Sequence, residues 1–154
     1  MLVGWLFARS PDEPTIIREG RPIGDKVVKS DREWKKLLTA EQFKVTRQQG
    51  TESCFTGQHW NTRDVGVYAC VCCGQPLFES NAKFDSGTGW PSFFQPIDIE
   101  MITTRAERRS LGTATEVICS RCDAHLGHVF DDGPAPTGSR YCINSAALRH
   151  APRK

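Results

Sequence analysis

Seven cysteines carry most of the chemistry available to this chain, and their spacing sorts them. Cys70 and Cys73 form one CxxC, Cys119 and Cys122 form a second, and Cys54, Cys72 and Cys142 stand outside both pairs. A CxxC turn can point two thiolates at one ion, and Gly74 after the second cysteine lets the backbone curl round the sulfurs. Two such turns complete a tetrahedral four-thiolate site, and the spacing favours one structural zinc ion per chain. The 45 residues between Cys73 and Cys119 exceed a short ribbon spacing, so the site must tie distant hairpins together. Redox-active CxxC pairs are the competing chemistry. They call for a CxxC at a helix start in a βαβ setting, and neither segment has helical periodicity. Cys72 sits in the wrong register for the ion, and four sulfurs leave no coordination position for His125.

Cys142, in "SRYCINSAAL", has no neighbouring cysteine. If Arg140 to Asn144 is a strand, Arg140, Cys142 and Asn144 share one face and Tyr141 and Ile143 the other. The sulfur then lies on the polar face, beside a guanidinium that favours thiolate over thiol, the reactive form. On this strand alone a reactive thiol and a buried inert cysteine are both open. His125 and His128 flank a Leu-Gly step in "HLGHVF", and imidazoles near a cysteine can stabilise its thiolate or pass a proton to a leaving oxygen. Trp90, between Gly89 and Pro91, is either core filler or the wall of a small apolar pocket.

Several elements must position these groups. "SDREWKKLL" offers a capping box in Ser30 and Glu33, and "TAEQFKV" repeats it with Thr39 and Gln42, which predicts two short helices whose Trp and Leu stripe packs against the core. From residue 64 onward the periodicity is that of strands: "VGVYACV", "IDIEMITT", "ATEVICS" and "SRYCINSAAL" alternate or favour β structure, separated by Gly and Pro. "DDGPAPTGS" is a loop leading into the strand of Cys142. Residues 1–28, broken by Pro11, Pro14 and Pro22, read as an irregular N-terminal extension, and residues 29–154 as one domain. The expected fold is mainly β, with antiparallel strands in two coiled sheets, short N-terminal helices and a four-cysteine zinc staple.

Composition narrows the function classes. A net charge of +2 over 154 residues, with scattered Lys and Arg, gives no stripe for a nucleic-acid backbone. Short clusters such as Arg105, Arg108 and Arg109 read as solvated surface. "MLVGWLFARS" lacks a basic n-region and makes a poor signal peptide, and no stretch is apolar enough to cross a bilayer. The seven cysteines are therefore expected in a reducing cytoplasm, where paired cysteines more often hold metal or do redox chemistry than form structural disulfides.

In this order, "GTESCFTG", "CVCCGQPLF", "FDSGTGWPSFF", "CDAHLGHVFDDGP" and "RYCINSAAL" resemble the methionine-R-sulfoxide reductases, the B class of methionine sulfoxide reductases, over roughly residues 30–150. The resemblance implies that Cys142 attacks the sulfoxide sulfur and that His125 and His128 supply protons so that oxygen leaves as water. It places Asn144 and Arg140 in the site lining, Asp132 as a group orienting Arg140 or a histidine, and Trp90 as the aromatic that receives the S-methyl group. Methyl on Trp90 with oxygen toward the histidines admits one hand of sulfur. Cys142 then becomes a sulfenic acid, which a second thiol converts to a disulfide. Many members carry that thiol as GCGWPSF, where this chain has Thr88. Cys54 is the substitute in "GTESCFTG", with Cys72 the weaker candidate because moving it would strain the metal turn. Thioredoxin as reductant and a monomeric enzyme acting on free or protein-bound sulfoxide complete the expectation. A zinc-ribbon module that grips a protein partner is the rival reading, and it leaves Cys142, His125, His128 and Trp90 without a joint role.

Overall fold

The computed structural model describes residues 15–109 and 112–152. Among the described residues ten strands form two antiparallel sheets and two α-helices accompany them: β1 (Ile16–Arg18), α1 (Asp31–Leu37), α2 (Ala40–Arg47), β2 (Gly66–Cys70), β3 (Pro76–Glu79), β4 (Lys83–Phe84), β5 (Ser92–Phe93), β6 (Ile102–Arg109), β7 (Gly112–Cys119), β8 (His125–Phe130), β9 (Arg140–Ile143) and β10 (Leu148–Pro152). The larger sheet runs β1-β6-β7-β8-β9-β5-β4 and the smaller β10-β2-β3. Among the described residues no helix is long and apolar enough to cross a membrane.

Both helices start at the predicted caps. Ser30 Oγ accepts from the Glu33 N–H, and Thr39 and Gln42 form a complete reciprocal capping box, satisfying donors that a helix start leaves free. α1 buries Trp34, on whose ring the Arg47 guanidinium of α2 lies at 4.7 Å. Between the sheets, Phe78 stacks on Phe93 at 4.4 Å and Tyr68 meets Phe93 edge-on at 5.3 Å. These contacts join the smaller sheet to strand β5, next to the strand of Cys142.

Three local expectations are revised. The segment read as irregular contains β1, which adds to the edge of β6, and Gly20 and Val27 continue the attachment through Thr103 Oγ1 (3.0 Å) and the Arg121 carbonyl (2.8 Å). The apolar start, Pro11 and Pro14 lie outside the described residues, as does the Arg109 side chain. "IDIEMITT" is not strand throughout. Asp98 accepts from the Glu100 N–H and closes a 3-10 turn over Ile99–Met101, so pairing begins at Ile102. "SRYCINSAAL" likewise stops pairing at Ile143, and a 3-10 turn over Ser145–Ala147 carries the chain from the larger sheet to β10 of the smaller. The strand of Cys142 therefore ends where the chain changes sheets.

Candidate active site and metal centre

The two CxxC turns have the same backbone plan. Gly74 N–H donates to Cys70 C=O (2.8 Å) and Asp123 N–H to Cys119 C=O (2.9 Å), while Cys70 and Cys119 donate to Gln75 and Ala124 (2.9 Å each). Each turn closes on a residue with positive φ, Gly74 at 79° and Asp123 at 61°. The first turn joins β2 to β3 in the smaller sheet and the second joins β7 to β8 in the larger, so the centre cross-braces the two sheets. Its four sulfurs lie within 4.8 Å of one another, with Cys70 to Cys122 and Cys73 to Cys119 both 3.6 Å. A tetrahedron of sulfurs about 2.3 Å from a zinc ion has edges of about 3.8 Å, so the thiols present fit a four-thiolate metal site. None of the described cysteines is disulfide-bonded.

On β9 the side chains alternate as expected: Tyr141 and Ile143 are buried in the core, and Arg140 and Cys142 are only partly buried. Backbone register then sets a row across the sheet. Arg105, Glu116, His128, Cys142 and Ser92 are successive partners on β6, β7, β8, β9 and β5, so their side chains share one face. Cys142, His128, Trp90, Arg140 and Asn144 line one pocket of about 320 Å³ together with Thr51, Thr88, Phe130 and Gly127.

His125 is placed differently. Strict alternation would set residues three apart on opposite faces, but the β7–β8 register shifts between Val117 and Ile118, and this irregularity turns both imidazoles to the same side. Their rings are 5.4 Å apart and edge-on. Only His128 reaches the pocket. His125 is buried behind it and lines a separate hollow with Arg47, Arg105 and Glu116. Its Nδ1 lies 2.8 Å from Glu116 Oε2. Burial would push the Glu116 carboxyl up, but hydrogen bonds from His125 and Arg105 hold it below the usual range, so it is ionised and accepts the proton of Nδ1. His128 Nε2 bonds Glu107.

Arg140 makes a two-pronged pair with Asp132, Nε to Oδ1 at 2.8 Å and Nη2 to Oδ2 at 3.1 Å, and its guanidinium lies 4.4 Å from the Phe130 ring centre. Of the two partners open to Asp132, arginine or histidine, the geometry selects arginine. Asn144 is braced at both ends, its amide donating to Leu126 C=O (3.0 Å) and its oxygen accepting from Glu52 N–H (3.1 Å). Trp90 Nε1 donates to Glu52 C=O at 3.1 Å, which orients the indole as a wall rather than core filler.

The protonation expected for Cys142 needs correction. Burial pushes its thiol above the ordinary range; the Arg140 charge and hydrogen bonds from Thr88 and Arg140 pull it down without overcoming that effect. The resting sulfur is a thiol, because a guanidinium already engaged by Asp132 does not offset desolvation. Cys54 is exposed on the loop after α2, and the adjacent Phe55 N–H donates to Gly89 C=O (2.8 Å), docking that loop beside Thr88 and Trp90. Cys72 interacts instead with Cys122, Cys70, Thr46 and Arg47 at the metal turn. Sequence reading missed Glu52, Glu107 and Glu116, which lie in no spacing pattern and acquire partners only through sheet pairing.

Residues 38–152 match the SelR domain family. The chain is 61% identical over 125 residues to the peptide methionine sulfoxide reductase MsrB of Hahella chejuensis, covering 81% of this chain and 90% of that one. It is 55% identical over 124 residues to the MsrB of Acinetobacter baumannii, covering 80% and 89%. It is also 59% identical over 120 residues to the chloroplastic peptide methionine sulfoxide reductase B1 of Oryza sativa, 78% of this chain and 56% of that longer protein. With four of the five ordered motifs lining one pocket and the other building the metal centre, these similarities leave no place for a non-catalytic binding module: the chain belongs to the MsrB family of peptide methionine sulfoxide reductases, the enzymes of the SelR domain.

Proposed function

We propose that this chain reduces the R epimer of methionine sulfoxide, free or in proteins, with Cys142 as nucleophile. The observation that carries the reading is the convergence of Cys142, His128 and Trp90 on one pocket. The S-methyl group packs on the Trp90 indole and the sulfoxide oxygen turns toward His128, which leaves one face of sulfur open to Cys142. As the sulfoxide oxygen takes up a proton, the Cys142 thiol gives one up and its sulfur attacks. An S–S bond forms to the substrate sulfur as the S–O bond breaks, a second proton releasing the oxygen as water; a water oxygen then bonds the Cys142 sulfur and the S–S bond breaks, so the substrate sulfur leaves two electrons richer as methionine and Cys142, two electrons poorer, becomes a sulfenic acid. Arg140, held by Asp132, faces the charge that passes through Cys142, and Asn144 braces the end of its strand. His125, on Glu116, stands behind His128 in the proton supply.

Cys54 then condenses with the sulfenic acid, forming an S–S bond and releasing water, and a thioredoxin dithiol reduces the disulfide. The docking of the Cys54 loop beside Thr88 and Trp90 supports this role over Cys72. Zinc is the ion that the four-thiolate set suits, and it acts as a brace away from the reacting sulfur. We take the enzyme to be a cytoplasmic monomer, with residues 29–154 as its catalytic domain.

Separated epimers test the assignment. Wild type should turn over the R epimer and not the S epimer, and Cys142→Ser should lose R turnover; undiminished turnover in that variant removes Cys142 from the chemistry. Cys54→Ser should release about one methionine per chain and then stall with thioredoxin. Unchanged cycling would reassign the resolving step to Cys72 or to no cysteine.

A further inference from the structure

Glu52 lies two residues before Cys54, inside the "GTESCFTG" motif but with no role assigned to it there, and Trp90, Asn144 and the turn after the nucleophile strand all bond to it. Its backbone C=O accepts from Trp90 Nε1 (3.1 Å) and its N–H donates to Asn144 Oδ1 (3.1 Å). Its carboxylate oxygen Oε1 accepts from the Ala146 N–H (2.8 Å), in the 3-10 turn that follows the Cys142 strand. Its other oxygen, Oε2, is buried with no hydrogen-bond partner among the described residues. Seven residues later the His59 N–H donates to Ser145 Oγ (3.1 Å), so both ends of the loop carrying Cys54 are clipped to the same turn. The residue as a whole is only 5% exposed.

We propose that Glu52 is the positioning residue of this site: its carboxyl clamps the turn after the nucleophile strand, and its backbone thereby holds Trp90 and Asn144 around Cys142 and fixes the base of the Cys54 loop. The proposal deepens the reductase reading and rests on it for its kinetic arm only. A side chain that merely filled space would not need an acceptor at this point. Burial raises the Glu52 carboxyl above its usual range, while the backbone N–H groups of Ala146 and Ser145 pull the other way, which is the balance of a carboxyl retained for its hydrogen bonds in a dry place. Gly57 completes the cradle. A Cβ there would stand 2.1 Å from Glu52 Oε2 and 2.3 Å from Ser145 Oγ, so only glycine lets the carboxyl sit where it does.

Three variants test the clamp. Glu52→Ala removes the acceptor, Glu52→Gln keeps an amide oxygen for the Ala146 N–H, and Gly57→Ala displaces the carboxyl without removing it. Two readouts are taken on the full chain with its metal: steady-state kinetics on methionine-R-sulfoxide, and the Trp90 indole N–H resonance by NMR. Glu52→Ala and Gly57→Ala should raise KM about tenfold, with a smaller fall in kcat, because a shifted Trp90 wall weakens substrate placement. Both should move the indole resonance, and Glu52→Gln should restore both readouts toward wild type. Unchanged KM and resonance in Glu52→Ala would overturn the proposal, as would Glu52→Gln being as damaged as Glu52→Ala. If Glu52→Ala does not fold, Gly57→Ala and Glu52→Gln decide the matter by the same criteria. A wild type without R-sulfoxide turnover would refute the reductase reading, and the resonance would still report on the clamp.

Discussion

Gly127, between the two histidines, is the point where strand spacing and catalytic geometry are most tightly coupled. Gly127 pairs with Ile143 and His128 with Cys142, so the proposed catalytic pair sits one residue from this contact. A Cβ at position 127 would lie 2.0 Å from the Cys142 carbonyl oxygen and 3.0 Å from Ile143 Cα, both backbone atoms that no rotamer change can move aside. Restoring an ordinary contact of 3.4 Å requires β8 and β9 to part by about 1.4 Å. Such a displacement breaks hydrogen bonds that start near 2.9 Å, among them the Asn144 N–H to Leu126 C=O bond. Two or three lost bonds cost roughly 2–4 kcal/mol, or a melting temperature lower by about 5–15 °C for a chain of this size. Because Cys142 and His128 ride on the separating strands, Gly127→Ala should also reduce kcat/KM for methionine-R-sulfoxide by about a hundredfold. Calorimetric melting and a coupled thioredoxin assay on the same preparation measure both. A variant melting within about 1 °C of wild type with kcat/KM within about twofold would refute the argument that glycine is required here for close strand approach.

Glu116→Gln should cost roughly 2–4 kcal/mol near neutral pH, since Arg105 and His125 lose their shared anion. The folded pKa of Glu116 is depressed, so its stabilisation is fully present above the ordinary value of 4.5 and is lost as pH falls through the folded value; denaturation of wild type and variant should differ most above pH 4.5 and converge below it. Arg140→Met should shift alkylation of Cys142 to higher pH, because the Arg140 charge and hydrogen bond both draw that thiol down; an unshifted profile would remove Arg140 from its activation. Mercurial titration of the thiols should release about one zinc ion per chain, and Cys119→Ser should lower the melting temperature by more than about 10 °C, since an ion held by these four cysteines would join two sheets; a metal-free chain of equal stability would refute the brace.

What the linear chain determines here is local. The two CxxC turns, the Ser30 and Thr39 caps and the alternation of Arg140 to Ile143 are each set within six residues, by ligand spacing, by side-chain reach to a free N–H, and by the period of a strand. The tertiary structure decided what depends on partners far away in the chain. A register shift against β7 puts His125 and His128 on one face, where alternation alone would oppose them. Desolvation outweighs a neighbouring arginine and keeps Cys142 a thiol, a balance that only packing can set because burial has no sequence pattern. Glu52, Glu107 and Glu116 become parts of the site through bonds to residues 9 to 94 positions away, and β1 becomes a strand only because β6 offers it an open edge.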